Sequence, residues 1–258
     1  RQPAPKPQIH IGSHLDDVVF TPDGSGLIVT GFDNISELSL SDLSVRRTAS
    51  TGGKAANSDL AISAGGQQIA ISFGHHGLWE TFPRELDATI ASARPRNSSR
   101  GLALEPDGNR LATISTTGWL EVFCANSGES LFAMRAHGST GMGVAFGVDG
   151  TIATIGTSSS PLSHDVKIID AATGTVRTRC SGIGEWPRSV ALNSDASRVF
   201  ACGFGRKIDV WDTESGTKVF ALPAAKLPLL DIAVAANSQI VVAGGDEGLV
   251  HVWCLPQR

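Results

Sequence analysis

The chain has 258 residues, 41% of them hydrophobic, and a formal net charge of −4. That is enough apolar material for one or two domain cores, and the slight acidic balance excludes a global basic field for nucleic acid or anionic lipid. No run of about 18 apolar residues is present to span a membrane, and no apolar leader reads as a signal peptide.

In chain order, Arg1-Gln2-Pro3-Ala4-Pro5-Lys6-Pro7 reads as an extended Pro-rich linker, and Gln8-Ile9-His10-Ile11 as a short strand. The first residue is not Met, so residues 1–7 are expected to lead from a domain upstream. An apolar strand core then recurs six times: Val18-Val19-Phe20, Leu60-Ala61-Ile62, Leu102-Ala103-Leu104, Val144-Ala145-Phe146, Val190-Ala191-Leu192 and Ile232-Ala233-Val234. The intervals between first positions are 42, 42, 42, 46 and 42 residues. Each copy runs into a turn such as Thr21-Pro22-Asp23-Gly24 or Glu105-Pro106-Asp107-Gly108. There Pro presets φ, Asp bonds its own backbone and Gly accepts positive φ. A second β-rich run follows, as in Arg110-Leu111-Ala112-Thr113-Ile114-Ser115, then a third, as in Lys207-Ile208-Asp209-Val210-Trp211-Asp212. A more polar fourth run, such as Lys218-Val219-Phe220-Ala221-Leu222, closes the unit. Four short alternating runs per unit predict an antiparallel meander, and no segment of helical period competes. Short strands at a period in the low forties predict a β-propeller.

These residues resemble the WD-repeat family. Trp211-Asp212 is the dipeptide that names it, and Ile169-Asp170, Trp253-Cys254, Ser41-Asp42, Phe82-Pro83 and Phe123-Cys124 are degenerate forms. Trp211 and Trp253 stand on third strands in the family's core-packing position, and the resemblance implies that both are mostly buried structural residues rather than ligand contacts. Gly12-Ser13-His14 and Ala136-His137 stand where the family's Gly-His pair lies. The resemblance covers residues 8–256 and implies one all-β propeller of four-stranded antiparallel blades over that span. Most repeats lack the His/Asp network of the typical family blade, and the Ala/Gly-rich, divergent repeats resemble bacterial members. The last repeat stops after its third strand, at His251-Val252-Trp253-Cys254, so residues 8–11 are expected to supply the missing outer strand and close the ring. Six inner strands predict six blades; seven, the commoner family number, needs a longer chain at this period.

Little in the sequence points to catalysis. Gly-x-Ser-x-Gly and phosphate-loop motifs are absent, and no cofactor motif appears. Cys124, Cys180, Cys202 and Cys254 lack zinc or C-x-x-C spacing and read as small buried strand residues in a reducing, cytoplasmic setting. His75-His76 reads as a solvated loop pair, or as metal ligands if a turn makes them converge. Asp16-Asp17, Asp59 and Asp231 fall near the channel mouth, where some six-bladed propeller hydrolases hold calcium, but Gly101, Gly143 and Ser189 interrupt the ring.

In WD-repeat propellers, the fourth-to-first and second-to-third strand loops share a face with the channel mouth, and that face is the family's most used binding surface. Five features fall there. A five-residue insertion sits around Thr157-Ser158-Ser159-Ser160-Pro161-Leu162-Ser163. Glu185-Trp186-Pro187-Arg188 precedes a first strand and carries residue types enriched at binding hot spots. Trp119 opens a third strand, and Phe204-Gly205-Arg206-Lys207 forms a basic-aromatic turn. Arg100 and Met142 share the position of Arg188, with Asp16, Ser58 and Leu230 completing that circle. Arg100, Trp119, Met142, Ser158, Ser159, Ser160, Trp186 and Arg188 are therefore the candidate partner-binding residues. Each also has a bland reading: Trp186 packs on a neighbouring blade, Trp119 fills a gap between blades, and the charges are solvated. The expected function is a non-catalytic module, without cofactor, that binds or senses a protein or peptide rather than nucleic acid or membrane. The alternatives are a metal-dependent propeller hydrolase and a purely structural subunit.

Overall fold

The computed structural model describes residues 15–31, 33–53, 59–74, 77–158, 164–184, 186–223, 226–235, 237–246 and 248–255. Residues 1–11, Ser58, His75, His76, Ser159 and Ser160 lie outside them, and with them the linker, the closing strand and the His pair.

Period-2 alternation folds each repeat into an antiparallel sheet, and the chain is an all-β, six-bladed propeller. Blade 1 comprises β1 (Leu15–Phe20), β2 (Gly26–Gly31), β3 (Asn34–Ser39) and β4 (Val45–Ser50). Blade 2 comprises β5 (Leu60–Ile62), β6 (Gln68–Phe73), β7 (Leu78–Pro83) and β8 (Ala91–Ala93). Blade 3 comprises β9 (Ser99–Leu104), β10 (Arg110–Ser115), β11 (Trp119–Cys124) and β12 (Ser130–Arg135). Blade 4 comprises β13 (Gly141–Phe146), β14 (Thr151–Gly156), β15 (Asp165–Asp170) and β16 (Val176–Ser181). Blade 5 comprises β17 (Pro187–Leu192), β18 (Arg198–Gly203), β19 (Lys207–Asp212) and β20 (Lys218–Pro223). Blade 6 has three described strands, β21 (Leu229–Val234), β22 (Ile240–Gly245) and β23 (Val250–Cys254). Strands pair in sequence order within every sheet. The one helical element among the described residues is a single 3-10 turn, Val148–Gly150, so no described helix is long and apolar enough to cross a membrane.

In blades 1 to 5 the second and third strands are largely buried on both faces, as in β6, whereas β4 and β20 are largely exposed and β22 and β23 of blade 6 are only partly buried. Five apolar clusters fill the five junctions between consecutive blades, from blades 1 and 2 through blades 5 and 6. Trp211 is fully buried between blades 4 and 5, and its indole N–H donates to the Ser181 carbonyl at 3.0 Å. Polar pins supplement this packing. The buried Glu37 carboxylate meets Arg46 at 3.3 Å, Arg47 at 3.5 Å and, from blade 2, Arg84 at 3.2 Å. Among the described residues one His/Asp network is kept: buried His137 reaches the Thr154 hydroxyl at 3.1 Å and the Asp165 carboxylate at 3.4 Å. Burial holds the His137 imidazole below its usual range despite Asp165.

Two expectations need correcting. Cys180 and Cys202 are buried, and burial pushes both thiols up to about 12, but Cys124 is half-buried and Cys254 is exposed. Cys124 and Cys254 each follow an inward-packing aromatic, and alternation turns them outward. Trp253 is half-buried rather than mostly buried. It packs on the cluster between blades 5 and 6 and donates to the Pro223 carbonyl at 3.2 Å, with no fourth strand beyond β23 among the described residues.

Candidate functional site

The channel mouth is built by a repeated irregularity. In β1, β9, β13, β17 and β21 one residue near the start has no partner on the second strand: Asp16, Arg100, Met142, Arg188 and Leu230. Such a bulge bends the strand and re-aims a side chain. The residues that share one position in the repeat are thus those that the backbone releases from the ladder. All five line one cavity of about 650 Å³ at the axis.

Its charge is divided. Blades 6, 1 and 2 contribute Asp231, Asp16, Asp17 and Asp59, whereas blades 3, 4 and 5 contribute Arg100, Met142 and Arg188. The carboxylate ring is incomplete for a steric reason. A Cβ on Gly101 would lie 3.0 Å from Ile114 Cγ2, and one on Gly143 would lie 3.3 Å from Ile155 Cγ2. The acids present already have partners. Asp17 accepts the amides of Leu60 at 2.8 Å and Val18 at 2.7 Å, and Asp231 accepts the Ser189 hydroxyl at 2.7 Å and the Ile232 amide at 2.9 Å. Burial, then the charge of Asp17, pushes Asp59 up to about 7, against a hydrogen bond from Ser72. Burial also raises Asp17. Among the described residues no group of three His, Cys, Asp or Glu side chains is placed to hold a metal ion.

Beside the channel lies a smaller pocket of about 240 Å³, lined by Arg100, Thr140, Met142, Thr157, Trp186, Arg188 and Phe204. Trp186 is 60% exposed at a positive φ of 39°, and its carbonyl accepts the Phe204 amide at 3.1 Å. Gly203 lets that stretch approach, because a Cβ there would collide with the Trp186 carbonyl. The Arg188 guanidinium lies 5.1 Å from the Phe204 ring centroid, a cation–π arrangement. Thr157 donates its amide to Thr140 at 2.8 Å, and the Thr140 amide donates to the Thr157 hydroxyl at 3.1 Å. These bonds pin the start of the inserted loop against the pocket. His164, at its far end, sets its ring 6.3 Å from that of Trp186.

Of the candidate residues, Arg100, Met142, Trp186 and Arg188 share this pocket. Ser158 is half-buried at the root of the inserted loop. Trp119 opens β11, is half-buried and lines neither cavity; its amide is tied to the Ser115 hydroxyl at 3.0 Å. Thr157 and Phe204 fall within the inserted loop and the basic-aromatic turn singled out in the sequence, whereas Thr140 and His164 escaped sequence reasoning. The insertion that these two adjoin was the available signal.

No family model matches the chain. It is 36% identical over 74 residues to an F-box/WD-40 repeat-containing protein of Arabidopsis thaliana, a stretch that spans 28% of this chain and 13% of that protein. Two solved structures share the fold. A chain in the crystal structure of the mitotic checkpoint complex matches at a TM-score of 0.77 and 18% identity, over 94% of this chain and 75% of that one. U3-55K matches at a TM-score of 0.81 and 14% identity, over 96% of this chain and 79% of its own. Together they support a WD40-type β-propeller. Antiparallel pairing sets the start of each bulged first strand beside the end of its second strand, so the bulged residues and the second-to-third strand loops lie at one end of the sheets.

Proposed function

We propose that this propeller is a non-catalytic interaction module that binds a protein or peptide at the channel mouth and the adjoining pocket. The observation that carries the reading is the convergence of Arg100, Met142, Trp186 and Arg188, from three blades, on one pocket with an exposed Trp at its rim. Trp and Arg supply a large share of binding energy at protein interfaces. A structural neighbour solved within the mitotic checkpoint complex, and an F-box/WD-40 relative, support a role in protein assembly. Free cysteines without a disulfide support a reducing, cytoplasmic setting.

Selection of a random peptide library on the immobilised protein tests the reading. Selected peptides should lose at least about 2 kcal/mol of affinity for a Trp186→Ala/Arg188→Ala variant. They should bind normally to Asp107→Ala/Asp149→Ala, which alters turns on the opposite face. Peptides that keep their affinity for the first variant and lose it for the second would place recognition on the wrong face.

A further inference from the structure

Elsewhere in this chain arginines meet carboxylates or carbonyls. Arg84 meets Glu37 at 3.2 Å, Arg179 meets Asp165 at 3.3 Å, and Arg135 donates to the Gly138 carbonyl at 2.8 Å. Arg100 and Arg188 do not follow this rule. Among the described residues neither is in an ion pair or a hydrogen bond, and the buried Nε of Arg188 lacks an acceptor. The Arg188 guanidinium has the Phe204 ring instead, and both arginines line the axial cavity and the Trp186 pocket. The acids across that cavity are short of a cation in the same way. Asp17, Asp59 and Asp231 take hydrogen bonds from Leu60, Ser72 and Ser189, and among the described residues no Lys or Arg touches them. Asp59 shows the consequence: burial and the charges of Asp17 and Asp231 raise it more than the charge of Arg100 lowers it.

The same division continues outside the cavity. At the end of the sheets that carries the bulges, exposed Arg94 and Arg96 follow β8, Arg135 ends β12 and Arg206 lies in the turn between β18 and β19. On the other side of the mouth, exposed Asp33 lies between β2 and β3, and exposed Asp246 lies between β22 and β23. The sector from the start of blade 3 to blade 5 thus presents arginine, and the sector of blades 6, 1 and 2 presents aspartate. A segment of one sign meets like charge over half of this surface, whereas a segment with both signs meets its complement on each side.

We propose that the ligand of this mouth is a peptide segment with charges of both signs: a Lys or Arg side chain set against Asp17, Asp59 and Asp231, and an Asp or Glu side chain set against Arg100 and Arg188 beside Trp186. The proposal rests on the reading of the mouth as a peptide site and adds the chemistry of its ligand. A carboxylate matches an arginine through parallel N–H donors. A phosphoserine carries about −1.5 to −2 charge at pH 7, so its second charge is set against the four Asp residues that line the same cavity. The carboxylate is therefore the anion that fits. The exposed Trp186 ring gives the aliphatic stem of the acidic residue an apolar wall.

The test selects short peptides on the immobilised chain from separate libraries that allow charges of both signs, acidic residues alone, basic residues alone, or no charge. The mixed library should give the tightest ligands, by at least about tenfold in Kd over the others. Replacing the acidic residue of such a ligand by Gln should weaken binding at least about fivefold to the wild type but less than about twofold to Arg100→Gln/Arg188→Gln. Replacing its basic residue by Gln should show the same contrast between the wild type and Asp59→Asn/Asp231→Asn. Phosphoserine in place of the acidic residue should weaken binding at least about threefold. Ligands of equal affinity from a single-sign or uncharged library overturn the proposal, as do ligands whose charges couple to neither pair or that bind more tightly with phosphoserine. If a variant does not fold, the ranking of the libraries on the wild type still decides. Ligands that depend on Trp186 but not on charge overturn this proposal alone; a mouth that selects no peptide overturns the reading of it as a peptide site as well.

Discussion

Trp211→Ala should be among the most damaging single changes in this chain. The side chain is fully buried between blades 4 and 5, against Ala153, Ile155, Val166, Ile168 and Val199. Its removal forfeits apolar burial and leaves a cavity that blade-to-blade packing cannot collapse, at a cost of about 3–5 kcal/mol. Two smaller losses add to this. The Ser181 carbonyl loses its indole donor, and Lys218, 5.1 Å from the ring centroid, loses a cation–π contact. Both sit near the surface, where water replaces much of what is lost, so together they add about 1 kcal/mol or less. For a domain of this size the sum lowers Tm by roughly 6–24 °C. Urea unfolding followed by circular dichroism measures it, with an unchanged slope showing that the same cooperative unit unfolds. Trp211→Phe, which keeps most of the apolar volume, should cost about 1–2 kcal/mol. A loss below about 1 kcal/mol for Trp211→Ala would refute the assignment of this residue to the core.

Three further outcomes are expected. The folded chain holds a proton on Asp59 up to about pH 7, whereas the unfolded chain releases it near pH 4. Stability from this group is therefore complete below about pH 4 and is lost as pH rises to about 7; in Tm measurements Asp59→Asn should change little at pH 4 and stabilise progressively more up to pH 8. Glu37→Ala strands Arg46, Arg47 and Arg84 without their shared carboxylate and should cost about 2 kcal/mol or more in urea unfolding, a result that Glu37→Gln distinguishes by keeping the volume. His137→Ala removes partners from buried Thr154 and half-buried Asp165 and should cost about 1–3 kcal/mol at pH 7.5, with less effect below the unfolded histidine pKa of about 6.5, where the wild type already loses stability by protonation of the unfolded chain.

Strand order, turn positions and the site of the inserted loop were legible in the sequence, because each repeat carries the same alternation and the same turn chemistry. Arg110–Ser115 and Lys207–Asp212 form the strands that their residues predict. The sharing of one pocket by Arg100, Met142 and Arg188 was legible for the same reason: equivalent positions in a ring converge. Trp119 shows the limit. Its place in the repeat was readable, but the direction of its side chain depends on the Ser115 turn that fixes its backbone. The bulges were also hidden, since a bulge is a relation between two strands rather than a property of either. The exposure of Val18, Phe20, Val250 and Val252 was hidden too, because their residue types match those of buried counterparts and only the ring geometry separates them.

The bulges link stability to the proposed function. A regular ladder would turn residues at the starts of inner strands into the sheets, where burying the charges of Arg100 and Arg188 is costly. The extra residue lets the ladder resume below it while the side chain stays at the mouth. Arg100 and Arg188 then face Asp17, Asp59 and Asp231 across one cavity, on strands that the packed blade junctions hold in place. A ligand bound there meets opposite charge on opposite sides, which fixes its orientation more than it adds affinity. Little ordering cost remains, because the rigid sheets have already set the positions of the anchors. The root of the inserted loop at Thr157 lines the Trp186 pocket, and its far end at His164 sets its ring beside that of Trp186. On this reading the channel orients the partner and the pocket beside Trp186 discriminates between partners.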